Sequence, residues 1–178
     1  MKGIIFNLIE EVISQDYGAD AWDDLLEGTP VSGTYSAVAT YPDSELGAIV
    51  DSAAAMTGLT PGQLLRYMGR RSLPLMALRY PEFFEMHTGA RTFLLSLNEV
   101  IHPEVRKLYE GAQPPHFGFE EQSDGTMVME YHSHRALCSL AEGLVMGAAD
   151  QFGETVTITQ PQCKLDGYGF CTLRVTWT

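Results

Sequence analysis

Apolar residues near the start of the chain recur with a helical period. Within residues 3–16, Ile5, Leu8, Ile9, Val12 and Ile13 fall on one stripe, which predicts an amphipathic helix. A second helix is expected from Ala21 to Glu27, stopping at Gly28. Ser44 reads as the N-cap of a helix running to about Met56, with Gly58 beyond it. Thr60-Pro61 supplies a cap followed by proline at the first helical position, and so opens another short helix. Residues 92–101 are apolar and helical. Pro103 predicts a kink or restart at His102, because proline lacks an amide hydrogen and disfavours helix in the residue before it. Val105 and Leu108 continue the face begun by Leu94, Leu97 and Ile101.

The pattern then changes. Ser123-Asp124-Gly125 is a turn signal, and Phe117–Glu121 and Thr126–Tyr131 flank it as a hairpin. Ala136 to Gln151 predicts a long helix whose apolar face carries Leu137, Leu140, Ala141, Leu144, Val145 and Ala148. Thr155–Ile158 and Phe170–Trp177 are β-rich segments around the turn at Asp166-Gly167. The expectation is an α+β fold in one domain, residues 1–178. A helical half, about 1–112, packs on a half of antiparallel strands with one long helix, about 113–178. A ligand would lie between the halves, a common place for a pocket.

Composition narrows the function classes. The 178 residues are 45% hydrophobic, enough for a sizeable core. With 23 acidic and 11 basic side chains the net charge is −12, and no basic stripe is visible, so nucleic acid is not expected as a partner. No apolar run approaches the roughly 18–20 residues that cross a bilayer, and no secretory signal is recognisable. The expectation is a cytoplasmic protein without a membrane partner. The cysteines number three, which argues against a disulfide framework.

Chemistry concentrates in two places. The pentapeptide Tyr131-His132-Ser133-His134-Arg135 sets a phenol, a hydroxyl and a guanidinium at alternate positions. In an extended segment these point to one side, with His132 and His134 on the other. All three donate hydrogen bonds, and the arginine fork matches a carboxylate, so the group reads as a receptor for an anion with one or more carboxylates. Upstream, His102 is a single imidazole in a mostly apolar stretch, able to ligate whatever carries those carboxylates.

This combination resembles the haem nitric oxide/oxygen-binding (H-NOX) family. The start Met1-Lys2-Gly3-Ile4-Ile5 and the pair Pro114-Pro115 match as well, in order and spacing, so that the resemblance runs nearly the length of the chain. The resemblance implies haem b held between the halves, with Tyr131, Ser133 and Arg135 clamping its two propionates. It implies His102 as proximal ligand of a five-coordinate ferrous iron, and Pro115 pressing the porphyrin out of plane. Pro103 departs from the family's usual proximal helix. Ile5, Ile9, Leu140 and Leu144, with Met76, are implied to line the gas pocket, and Ser72 to lie near it. Leu140 stands where oxygen-holding members carry a tyrosine. A pocket without a hydrogen-bond donor favours nitric oxide, and also carbon monoxide, over stable oxygen binding. The implied signal is weakening of the iron–His102 bond by nitric oxide, relaxation of the helix and a shift of the two halves. It would pass to a separate bacterial protein such as a histidine kinase or a cyclic-dinucleotide enzyme.

Cys138, Cys163 and Cys171 form a further candidate site. Some family members bind structural zinc through three such cysteines and a histidine, and that histidine's place is taken here by Gln160. His134, four residues before Cys138, could share its helical face and replace it. Three reduced thiols without metal are the alternative. Two rival functions stay open: a haem-free small-molecule or zinc-binding regulatory module, and a peroxidase-type haem enzyme. The latter lacks the distal polar acid–base residues such chemistry needs.

Overall fold

A computed structural model describes residues 1–178. It has an α+β fold. Helices α1 (Gly3–Tyr17), α2 (Ala21–Leu26), α3 (Asp43–Thr57) and α4 (Pro61–Arg79) come first, then the short α5 (Glu82–Glu85) and α6 (Ala90–Leu95). A π-helical turn, Leu97–Ile101, runs directly into α7 (His102–Leu108). The hairpin β1 (His116–Glu121) and β2 (Met127–His132), helix α8 (Cys138–Gln151), β3 (Val156–Gln162) and β4 (Cys171–Trp177) complete the chain. The sheet order is β1-β2-β4-β3, antiparallel throughout.

Several expected boundaries move, each for a local reason. Helix α3 starts at Asp43, ahead of the expected cap Ser44, and no side chain caps it, because the N-cap residue is Pro42, which has no side-chain acceptor. Helix α4 has the expected cap at Thr60, which Gln63 completes as a capping box, but is 19 residues long rather than short, passing through Pro74. Helix α8 begins at Cys138, two residues late, since Ala136 has a left-handed φ of 51°. Strand β3 extends past Ile158 to Gln162 and takes in Pro161, tolerated at a bulge where the register shifts between Thr159 and Gln162.

The apolar residues form two main clusters. One gathers Phe6, Ile9, Trp22, Ile49, Leu64 and Met68 from α1 to the first half of α4. The other gathers Leu73 and Ala77 from the second half of α4 with Phe93, Ile101, the sheet residues Met127, Met129, Leu173 and Val175, and Val145 and Ala148 of α8. Element type changes after Leu108, but the two clusters part within α4, between Met68 and Leu73.

Helix α4 lies against α8 at glycine contacts. A Cβ on Gly69 would come within 2.4 Å of the Leu140 carbonyl oxygen, one on Gly143 within 2.0 Å of that of Arg66, and one on Gly147 within 2.6 Å of that of Arg70. Backbone meets backbone there, so no flexible side chain can yield. Gly143→Ala should therefore destabilise the protein by about 3 kcal/mol, through forced separation of the helices. An unchanged unfolding midpoint in denaturant would show the contact to be softer than its geometry.

Candidate functional site

A cavity of about 310 Å³ opens between α1, the second half of α4, the α6–α7 segment, the hairpin and α8. Of its 33 lining residues 24 are hydrophobic, a wall suited to a large apolar ligand. The polar side chains that reach it include the sequence-predicted set, with Lys2, Thr40, Tyr80, Tyr109 and Gln113 beside them. His102, Pro115, Tyr131, Ser133 and Arg135 all line it, as do Ile5, Met76, Leu140 and Leu144.

His102 sits at the junction of the π-helical turn and α7, with Pro103 in the first turn of α7. The proline needs no amide partner there, so it does not interrupt the segment. The imidazole is 8% exposed, and its Nδ1 is buried without a hydrogen-bond partner. Burial, helped by Arg106 and His116 and opposed by the Pro115 carbonyl, lowers its pKa from 6.5 to about 4. The ring is therefore neutral at pH 7, the form that ligates metals.

The pentapeptide alternates as read. Tyr131 and Arg135 are covered while His132 and His134 face solvent. Tyr131 is the last residue but one of β2, and burial raises its phenol. The backbone N–H of Arg135 donates to Ser133 Oγ at 3.2 Å, which bends the chain out of the strand. The Arg135 guanidinium donates through Nη1 to the Gln113 carbonyl at 2.8 Å and through Nε to Asp43 at 3.0–3.1 Å. Burial would raise the Asp43 carboxyl, but the Met1 ammonium and Arg135 outweigh it and hold it low.

Two expectations about the pocket need correction. Ile9 does not line it; it packs into the cluster of α1–α3 with Phe6 and Ile49. The cavity stripe of α1 is instead Ile4, Ile5 and Leu8. Ser72 is buried but also outside the lining. Missed altogether were Tyr80 and Tyr109, whose hydroxyls bond to each other at the ends of α4 and α7 and line the cavity. They are 29 residues apart, and no local pattern joins them.

The three cysteine sulfurs lie within 4.8 Å of one another, Cys138 and Cys163 at 3.6 Å and Cys163 and Cys171 at 4.0 Å. Burial, then the neighbouring sulfurs, push the Cys171 thiol up to about 12. His134 does not join them. The chain is not helical before Cys138, so the expected shared face does not exist. His134 is 60% exposed and lies 3.8 Å from Asp43. Gln160 is half-buried, with its Nε2 buried and unpartnered.

The family model described as Haem-NO-binding matches residues 2–160. An H-NOX protein from Shewanella oneidensis in the Fe(II)NO ligation state is 30% identical, with a TM-score of 0.93 over 100% of this chain and 99% of that one. The Fe(II) unliganded H-NOX protein from K. algicida is 26% identical, with a TM-score of 0.87 over 100% and 97% of the two chains. Among curated proteins, soluble guanylate cyclase gcy-32 of Caenorhabditis elegans is 24% identical over 155 residues. That match covers 84% of this chain but 23% of the cyclase, so the chain spans about a quarter of that relative's length.

The depressed His102 pKa has a measurable consequence. An imidazole that resists protonation in the fold but not in the unfolded chain stabilises the protein above about pH 6.5, and that contribution is lost as pH falls toward about 4. Haem-free protein should lose about 3 kcal/mol more than its His102→Leu variant between pH 7 and about pH 4 in denaturant unfolding. Parallel pH profiles of the two would contradict a buried neutral ring.

Proposed function

The chain belongs to the Haem-NO-binding family, and on that premise we propose that it is a cytoplasmic, non-catalytic gas sensor. We propose further that it binds haem b in the cavity and favours nitric oxide over oxygen. One observation carries this reading. An apolar cavity has a buried, neutral imidazole on its wall and a phenol, a hydroxyl and a guanidinium together on its lining. That donor set fits an apolar macrocycle bearing a metal and two carboxylates. The relatives described with Fe(II) and with Fe(II)NO support it. The free cysteines accord with a reducing compartment.

When bound, haem supplies a ferrous iron that takes a diatomic gas. The chain does the rest. His102 would hold the iron, its neutral ring needing no proton removed at pH 7. Tyr131, Ser133 and Arg135 would hold the propionates by donating to them, with the Arg135 guanidinium kept in place by Asp43. Pro115, on the cavity lining, would pack against the macrocycle. Leu140, Leu144, Ile5 and Met76 exclude water and offer bound gas no donor, which leaves oxygen without the hydrogen bond it benefits from; nitric oxide and carbon monoxide do not require one. Loss of the His102 bond would release α7, and the movement would pass to a separate signalling protein, a histidine kinase or a cyclic-dinucleotide enzyme in a bacterium. The cysteines form a second, structural site for zinc, whose fourth donor is not His134.

Absorption spectra of the ferrous protein test the main proposal. The expected result is a Soret band, a stable nitric oxide complex, a carbon monoxide complex and no lasting oxygen complex in air. A long-lived oxygen complex would overturn the selectivity and direct attention to Tyr80, the lining hydroxyl on the helix that carries Met76. No haem at all would return the chain to the haem-free reading.

Elemental analysis tests the second site. Protein grown with zinc and kept reduced should carry about one zinc per chain, lost in Cys163→Ser or Cys171→Ser. Zinc near zero in the unaltered protein leaves three thiols and no metal.

A further inference from the structure

We propose that Asn98 is a positioning residue, setting the orientation of the His102 ring and of the clamp residue Tyr131 by holding the edge of the sheet. The proposal rests on His102 being the iron ligand, as argued above.

Strand β1 is an edge strand, paired on one side with β2 and on the other with no strand. Its outward backbone groups need partners or water. At Phe117 a side chain takes that place. The Asn98 Nδ2 donates to the Phe117 carbonyl at 2.6 Å, and the Phe117 N–H donates to Asn98 Oδ1 at 3.1 Å. The primary amide thus acts as a one-residue β-strand, giving and accepting in one plane as a neighbouring peptide group would. Aspartate could accept but not donate, and leucine of similar volume could do neither.

Phe117 is also the residue that touches both halves of the site. Its ring stacks on His102 with centroids 6.0 Å apart and planes at 29°. It meets Tyr131, directly opposite in the β1–β2 register, at 5.7 Å. Pro115, two residues earlier, lines the cavity and holds its carbonyl toward the imidazole. Whatever fixes Phe117 therefore fixes the faces against which the imidazole and the phenol rest.

The π-helical turn is what brings Asn98 there. Residues Leu97–Ile101 carry one residue more per hydrogen-bonded turn than an α-helix, and the Ile101 N–H reaches back to the Ser96 carbonyl at 3.2 Å. The extra residue rotates everything before it relative to His102. Regular α-geometry would swing Asn98 off the strand edge by about a quarter turn.

Resonance Raman spectroscopy of the ferrous, haem-loaded protein reads the orientation through the iron–histidine stretching band. Asn98→Leu should keep haem yet shift and broaden that band, because the ring loses its fixed neighbour. Adding Phe117→Leu to Asn98→Leu should then change the band less than Phe117→Leu does alone, since the two residues act as one unit. Ser52→Ala removes a hydrogen bond to the Leu25 carbonyl in the other cluster, and it should lower stability without moving the band. If Asn98→Leu does not fold, Asn98→Asp carries the same test, keeping the acceptor and losing the donor. A variant band that superimposes on the unaltered one, with full haem content, overturns the positioning role alone. A band in the unaltered protein that survives His102→Gly overturns the ligand assignment and this proposal with it.

Discussion

The close approach of α4 and α8 is the contact on which the rest of the structure depends. Gly69, Gly143 and Gly147 let the two backbones meet, and charged residues then tie α4 to its neighbours on either side. Arg66 and Arg70 reach Glu142 and Asp150 on α8, while Arg71 and Arg79 reach Asp16 and Glu11 on α1. The exposed pairs are each worth at most about 1 kcal/mol and tune rather than hold. Glu142, 8% exposed, differs: without Arg66 it would be a buried lone charge, which costs several times more. Glycine packing therefore sets the distance between the helices, and with it the cavity, whose wall includes Leu73 and Met76 of α4 and Leu140, Ala141, Leu144 and Val145 of α8.

How much of this could be read from the chain depended on range. Local signals worked: the Thr60 cap, the Gly58 stop with its φ of 71°, and the Ser123-Asp124-Gly125 turn are short-range physics. The alternation through Tyr131 and Arg135 needed a strand end only, and it held. What failed was whatever another part of the molecule decides. The cap at Thr60 marked where α4 starts but not how far it runs: its 19 residues pass through Pro74 and carry arginines whose partners sit on α1 and α8, far away in sequence. Periodicity placed Ile5 and Ile9 on one stripe but could not say which edge of it faces the cavity. His134 was assigned to a helix that Ala136 prevents from starting early.

The charges around the cavity mouth are arranged so that no member stands alone. Asp43 faces Arg135 and the Met1 ammonium, and Arg135 also meets the Gln113 carbonyl. An arginine already held in plane by two partners loses less rotamer freedom when it meets a carboxylate than a free one does. The imidazole follows the opposite rule. No carboxylate pairs with it and its Nδ1 is unpartnered; the Pro115 carbonyl favours its protonated form, but burial outweighs that and keeps the ring neutral.

Pro74 has a mechanical meaning. It lies inside α4 just after the point where the two apolar clusters part, and it has no N–H to offer the Arg70 carbonyl. One rung of the helical ladder is therefore missing at the seam, and the Arg70 oxygen abuts Gly147 instead. The cost of that rung is met once, when the chain folds. Afterwards, flexing α4 at this place breaks no further hydrogen bond, while flexing it within either cluster would disturb close-packed side chains. The one missing rung of a 19-residue rod thus lies at the seam between the two clusters, where α8 packs against it through Gly147.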